Sequence, residues 1–304
     1  MYFVNFLKDA MERIGVLTAD KQRVICLGCG EKELFGSCTI PATMREIIEQ
    51  QDSALPQIQK VIAQAASNPS CKAILDLRGL TIKAPYNNPP RNILCVGLNY
   101  HAHALEFEQT GDAAKAAPQF PILFSKPWTA IADPNAAIDG HASETDSYDY
   151  EVELAVIVGK DGKNIPREKA YDHVFGYSII NDLSARDLQR RTSQWYSGKC
   201  LDESAPFGPF LAHTSAVADP QNLNLRCTVN GEIRQDSNTK FMIFDIPAII
   251  AAVSTGTTIQ AGDIIATGTC PGVGMGFNPP KFLKQGDEMV LEIENIGVLR
   301  NTIR

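Results

Sequence analysis

Residues 144–160 read ETDSYDYEVELAVIVGK. From Tyr150 to Val158 this is an apolar run interrupted by two glutamates. In a strand, successive side chains point to opposite faces and residues two apart share one. Tyr150, Val152, Leu154, Val156 and Val158 then take one face, and Glu151, Glu153, Ala155 and Ile157 the other. Both faces are mostly apolar, so the strand is expected to be covered on both sides. Yet Glu151 and Glu153 stand side by side, with Cα atoms about 6.7 Å apart by the strand rise. Two ionised carboxylates in a half-buried place repel each other and lose hydration. Residues 141–159 contain no lysine or arginine, while five carboxylates fall between Glu144 and Glu153. A divalent cation is the economical partner, and all-oxygen ligation favours Mg²⁺, Mn²⁺ or Ca²⁺ over zinc. The plainer alternative is an exposed edge strand with solvated charges.

A third ligand is expected at Asp182. It closes the apolar run HVFGYSIIN and precedes the helical pattern ARDLQRR, so it can face a cleft. The competing reading is that Asp182 or Ser184 caps that helix.

Outward from this stretch the chain divides at KAPYNNPPRN, residues 83–92, where prolines and asparagines favour extended or turn backbone. Residues 1–88 form a small α/β region mixing short strands (RVICLG, KAILDL) with helical stretches (TMREIIEQQ, PQIQKVIAQAASNP). Residues 89–304 are strand-dominated: NILCVGLN, PILFSKP, YEVELAVIVGK, HVFGYSIIN, LNLRCTVNG, GDIIATGT and EMVLEIENIG are short apolar runs bounded by turn residues. Asn230-Gly231 carries a hairpin signal. HAHALEFE, ARDLQRRT and DIPAIIAAVS are the helix candidates. Many strands and few helices predict an α+β fold rather than a doubly wound sheet.

Composition excludes several classes. With 44% hydrophobic and 21% charged residues, the 304-residue chain has the makeup of a globular protein. Its net charge of −7 argues against nucleic acid as a partner, but not against a small anion that a bound cation would attract. The eight cysteines sit largely in apolar runs and are expected to be small buried residues without a disulfide framework. Cys26-Leu-Gly-Cys29 is a lone CxxC that lacks two further zinc ligands. Lys8, Asp9, Glu12 and Arg13 break the N-terminal apolar run, so it is not expected to be a signal peptide. No run of eighteen apolar residues occurs, so no membrane is expected as partner and the location is expected to be cytoplasmic.

Five blocks in order, GLNYHAHALE, PILFSKP, DYEVEL, NDLSARDLQ and TGTCPGVG, resemble the fumarylacetoacetate hydrolase family from about Asn92 to the C-terminus. RQDSNTKFMIFDIPAII and the closing IENIGVLRNTI add to the likeness. The N-terminal region looks like the small domain of some bacterial members, and the whole looks closest to members acting on oxaloacetate or acylpyruvates. The resemblance implies a C-terminal β-sandwich roll, a homodimer, and a small 2-oxo acid as substrate. It implies metal ligands at Glu151, Glu153 and Asp182, with Mg²⁺ or Mn²⁺ and no organic cofactor. It implies a catalytic dyad at His103 and Glu106, an active-site lysine at Lys199, and substrate contacts from Lys126, Arg186, Gln189 and Thr269.

These residue types suit that chemistry. A metal can act as a Lewis acid on a 2-oxo acid, and Lys199 can add positive charge where an enolate develops. His103 and Glu106 share a helix face at their spacing, so Glu106 can orient the imidazole as a base. Arg186 and Gln189 share a face in the same way. Small residues and prolines in QTGDAAKAAPQFP suggest the hinge of a lid over residues 100–116 that orders on ligand binding. TGTCPGVGMG is glycine-rich but lacks a phosphate loop's Gly-Lys-Ser/Thr ending. Two departures stand out: Leu98 occupies a position where many relatives carry a cation, and Cys270 interrupts the family's TGTP order, so Cys270 and Cys200 could line the site. Three functions stay open: hydrolysis or decarboxylation at a C–C bond, isomerisation of a hydroxydienedioate or an oxaloacetate tautomer, and a structural or regulatory metal-binding role.

Overall fold

The computed structural model describes every residue except Pro69 and residues 110–117, together with the side chains of 107–109. Its frame is a large sheet, twelve-stranded among the described residues. Along its main path the strands run Ile74–Asp76, Arg23–Cys26, Met11–Leu17, Tyr2–Lys8, Ala205–His213, Val174–Asn181, Val152–Val158, Ile264–Ala266, Ile93–Gly97 and Ile122–Lys126. A five-stranded sheet holds Glu232–Asn238, Asn224–Val229, Glu288–Ile293, Gly297–Ile303 and Ala137–Ile138. At the turn between its first two strands Asn230 and Gly231 have φ of 52° and 79°, the left-handed pair that the Asn-Gly signal predicted.

The alternation read from residues 150–158 explains why the sheet is covered twice. Val152, Leu154, Val156 and Val158 pack into one core with Leu225, Cys227, Met289, Leu291 and Leu299 of the smaller sheet, which is the sandwich. Ala155 and Ile157 pack on the opposite face into a core shared with Ile47, Ile48, Ile58 and Val61 of the N-terminal helices. Those helices are Met44–Glu49, with a capping box between Thr43 and Glu46, and Gln51–Ala66. Glu151 and Glu153 lie at the end of this second face, where the helices give way to a cleft.

The N-terminal region is continuous with the rest. Tyr2 and Phe3 pair with Ala212 and Leu211, so its strands extend the same sheet, and Phe3, Ile14 and Ile25 share a core with Phe175 and Phe207. The change at residues 83–92 is one of sequence pattern; hydrogen bonds and core cross it. None of the described helices is long and apolar enough to cross a membrane. All eight cysteines are free.

Candidate active site

Two neighbouring peptide segments bring the acidic cluster together. The Val152–Val158 strand presents Glu153 and, just before it, Glu151; the adjacent Val174–Asn181 strand ends on Asp182, whose N–H donates to the Glu151 carbonyl at 3.0 Å. Asn181 fixes the same corner by accepting from the Glu151 N–H at 3.0 Å. One oxygen from each of Glu151, Glu153 and Asp182 lies within 4.8 Å of the others, and all three residues are buried. Among the described residues this is the one His/Cys/Asp/Glu group with metal-binding geometry.

Charge compensation comes from further along the chain than residues 141–159, where the sequence offered none. Lys199 Nζ stands 2.8 Å from Glu151 Oε2 and 2.8 Å from Asp182 Oδ2. Arg186 Nη1 stands 2.7 Å from Glu151 Oε1, and its Nε 2.8 Å from Asp149 Oδ2. Lys126 Nζ donates to the Leu183 carbonyl at 2.9 Å and lies 2.8 Å from Asp182 Oδ1. That last pair is close but poorly aligned for a hydrogen bond, and Asp182 Oδ1 is buried with no hydrogen-bond donor of its own. The burial of Glu151 would push its pKa up, yet Lys199 and Arg186 hold it down at about 2. Burial works against the Lys199 ammonium, but Asp182 and Glu151 outweigh it and raise its pKa. Glu153 is the exception: burial, then the neighbouring Asp182 and Glu151 charges, push it well above the ordinary carboxylate range. A cation at the three oxygens would remove that push.

The donor set fits a hard divalent ion. All three ligands are carboxylates, one oxygen lacks a donor, and four carboxylates (Asp149, Glu151, Glu153, Asp182) face three cations (Lys126, Arg186, Lys199). With all four carboxylates ionised the site is short of one positive charge, and a divalent ion would leave it with one to spare for an anionic ligand.

The predicted dyad is also in place. His103 and Glu106 lie on the helix His101–Gln109, with Nδ1 3.1 Å from Glu106 Oε2. Glu106 Oε1 accepts from the Gly272 N–H at 2.7 Å, which ties the helix to the glycine-rich turn. A Cβ at Gly272 would fall 1.9 Å from the Arg234 carbonyl oxygen, and its φ is +100°, so close backbone approach is what that glycine permits. His103, Glu151, Glu153, Gln189, Lys199 and Thr269 line one narrow cleft. Lys126 and Arg186 stand behind the carboxylates instead, fully buried and engaged with them, where the sequence reading had them contact substrate. Gln189 accepts from Arg186 Nη1 at 3.2 Å. Cys270 is fully buried, and Cys200 is half-buried with its thiol 3.5 Å from the Ser125 carbonyl; neither lines the cleft. The lid hinge proposed around residues 109–121 falls mostly outside the described residues.

Three contributors escaped the sequence reading. Asp149 anchors Arg186 and accepts from the Gly274 and Met275 N–H groups at 2.6 and 3.1 Å. Gln235 is a buried strut: it accepts from the Val152 N–H at 3.0 Å and donates to Thr269 Oγ1 and the Cys270 carbonyl at 2.8 Å each. Trp195 lines the cleft, edge-on to Phe124. Asp149 had a signal, since it shares a strand face with Glu151 two residues on.

The family described as Fumarylacetoacetate (FAA) hydrolase C-terminal matches residues 92–304. The chain is 41% identical over 290 residues to oxaloacetate tautomerase YisK of Bacillus subtilis, covering 94% of this chain and 95% of that one. A human mitochondrial oxaloacetate tautomerase is 40% identical over 267 residues, 87% of this chain and 81% of that one. Among solved structures, a fumarylacetoacetate hydrolase from Exiguobacterium antarcticum superposes with a TM-score of 0.78 at 36% identity, covering 100% of this chain and 99% of that one. A maleylpyruvate hydrolase from Sphingobium sp. SYK-6, solved with manganese and pyruvate, gives 0.75 at 26% identity, covering 100% and 98%.

Proposed function

The chain belongs to the fumarylacetoacetate hydrolase family, and on that premise we propose that it is a divalent-metal-dependent oxaloacetate tautomerase. The observation that carries the reading is the union, in one small cleft, of the Glu151–Glu153–Asp182 cluster with the His103–Glu106 dyad. The choice of tautomerisation over C–C cleavage, the main expectation from sequence, is supported by the names of two relatives matched over 94% and 96% of this chain. The maleylpyruvate hydrolase likeness keeps hydrolysis as the second reading.

Keto–enol exchange moves one proton between C3 and the C2 oxygen of the 2-oxo acid while the double bond shifts between C2–O and C2–C3, and no heavy atom is gained or lost. Glu151, Glu153 and Asp182 would hold a divalent ion, Mg²⁺ or Mn²⁺ by its oxygen ligands, which when bound would supply a Lewis acid for the 2-oxo group and make C3–H more acidic. Lys199 and Arg186 keep Glu151 ionised, so that ligand stays charged at neutral pH. His103, held by Glu106, takes the proton at one atom and returns it at the other. Thr269 and Gln189 offer polar contacts to the substrate from the same wall. Lys126 and Arg186 act through the carboxylates they hold. A homodimer and a cytoplasmic location complete the reading.

The test is to follow enol-oxaloacetate absorbance and pyruvate release together, with Mn²⁺ or Mg²⁺. Enol loss well above background with no added pyruvate supports tautomerisation. Pyruvate released from oxaloacetate, acetylpyruvate or fumarylpyruvate assigns C–C cleavage instead. Glu151→Gln is expected to lose Mn²⁺ binding in calorimetry and at least about a hundredfold in rate, with its circular dichroism unchanged. Full activity of that variant at limiting metal would sink the ligand assignment.

A further inference from the structure

The cleft has two unlike walls. Besides the polar residues around the carboxylates, an apolar set lines it: Val96, Gly97, Leu98, Phe124 and Trp195. This second wall is organised by one contact. A Cβ at Gly97 would fall 2.4 Å from Cζ3 and 2.7 Å from Cη2 of Trp195, so the indole lies directly on the Gly97 backbone and any side chain there would dislodge it. Phe124 meets the indole edge-on, with centroids 5.3 Å apart and planes at 72°. Leu98 takes a φ of 52°, which turns the chain after Gly97, and packs with Val273 and Met275 in a cluster that also holds the partly buried Trp195. The ring is thus fixed on three sides and presents its remaining surface to the cleft.

This wall has consequences for what fits. Among the described lining residues Lys199 is the one lysine or arginine, and its ammonium is taken up by Glu151 and Asp182 at 2.8 Å each, 5.2 Å from the Phe124 ring centroid. The polar end of a ligand must therefore face the carboxylates and any metal they hold. Its other surface meets aromatic and aliphatic carbon, which favours a flat molecule and offers no partner to a polar branch. The cleft holds a cavity of only about 10 Å³, about the room one water takes, so its walls already stand close together. A longer acyl chain would have to occupy space that the indole fills.

We propose that Trp195, seated on Gly97, is the specificity-determining residue of the cleft: it admits flat 2-oxo acids of the size of oxaloacetate and excludes those with longer acyl groups. The inference rests on the 2-oxo acid reading above. The sequence holds two tryptophans, Trp128 and Trp195; Trp128 is 45% exposed and away from the cleft. Trp128→Phe therefore makes Trp195 the sole indole reporter in the full-length, Mn²⁺-loaded protein. Its emission is expected to change on adding oxalate or acetylpyruvate. Calorimetry then compares acetylpyruvate with hexanoylpyruvate. The native protein is expected to bind the shorter ligand at least about tenfold more tightly, the scale on which pockets discriminate chain length. Trp195→Leu is expected to bring the two within about threefold while oxalate affinity holds, and Trp195→Phe to fall between them. Unchanged selectivity in Trp195→Leu, or equal loss for both ligands as a purely structural role would give, overturns the proposal while leaving the function standing. Absence of any oxalate or acetylpyruvate binding to the native, metal-loaded protein overturns the 2-oxo acid reading and the inference with it.

Discussion

Glu106 makes two contacts that its amide analogue could not reproduce together. Its carboxylate meets His103 Nδ1 and the Gly272 N–H at once, and both require an acceptor. Holding Nδ1–H places the imidazole lone pair on Nε2, the tautomer a base needs. In Glu106→Gln one end becomes an N–H donor. Either Gly272 loses its acceptor or Nδ1 must accept and the proton moves to Nε2. The expected result is a fall in kcat of about 10²–10⁴, the usual worth of a general base, with KM and melting temperature little changed. A variant whose kcat matches the native value removes the dyad from the reaction. His103, Glu106, Glu151, Glu153, Asp182 and Lys199 were legible in sequence because each sits in a block with its own pattern. Asp149 and Gln235 were not, because they act through neighbours: Asp149 is one acid among five in a short stretch, and nothing in the chain marks which one will meet Arg186. Lys126 and Arg186 were legible as part of the site, but which group they neutralise depends on the fold.

Two one-turn helices, Arg186–Gln189 and Tyr196–Lys199, set the position of Lys199. They pack through backbone: a Cβ at Gly198 would fall 2.5 Å from the Gln189 N and 2.6 Å from the Ala185 carbonyl oxygen. No flexible side chain can yield there, so Gly198→Ala must push the helices apart. The cost expected for such overpacking is about 1–3 kcal/mol, and Lys199 should leave the 2.8 Å contacts it makes with Glu151 and Asp182. The checks are a lowered urea midpoint and weakened Mn²⁺ affinity in the same variant. A loss of stability with full Mn²⁺ affinity would show that Lys199 is placed by something else. Helices this short lack the repeated spacing that marks longer ones, and ARDLQRRT accordingly suggested a longer element than the four residues found. A larger miss was the strand Ala205–His213, which sits in the middle of the big sheet. Its sequence, APFGPFLAH, carries two prolines and a glycine, and these read as turn punctuation. The strand beside it shifts register between Tyr177 and Ile179, so the pairing bends around the stretch that holds Gly208 and Pro209. The first strands, Tyr2–Lys8 and Met11–Leu17, were considered only as a possible leader; their turn at Asp9 and Ala10, both at positive φ, lacks the glycine that usually marks a hairpin.

At the scale of the whole molecule, the N-terminal region is joined to the catalytic sheet by a row of rings. Phe3 meets Phe175 at 5.7 Å, and Phe175 meets His213 edge-on at 5.1 Å. His213 ends the missed strand, its N–H donates to the Met1 carbonyl at 3.0 Å, and its Nδ1 accepts from the Ser215 N–H at 3.1 Å. Burial, followed by the nearby Met1 ammonium, lowers the pKa of His213 from 6.5 to about 4. The folded state therefore prefers the neutral ring. Between pH 6.5 and 4 the unfolded chain binds more protons than the folded one, so stability contributed by this group is complete above pH 6.5 and is lost as pH falls toward 4. His213→Asn retains a side-chain acceptor for Ser215 but cannot titrate. At pH 7.5 it should be the less stable protein, because it gives up the ring contact with Phe175. On going to pH 5 its urea midpoint should fall by less than the native one, narrowing the gap. Carboxylates elsewhere titrate in both proteins and cancel in the comparison. Parallel losses in the two would mean that the joint between the N-terminal strands and the catalytic sheet is insensitive to His213 protonation, and that acid weakens the molecule elsewhere.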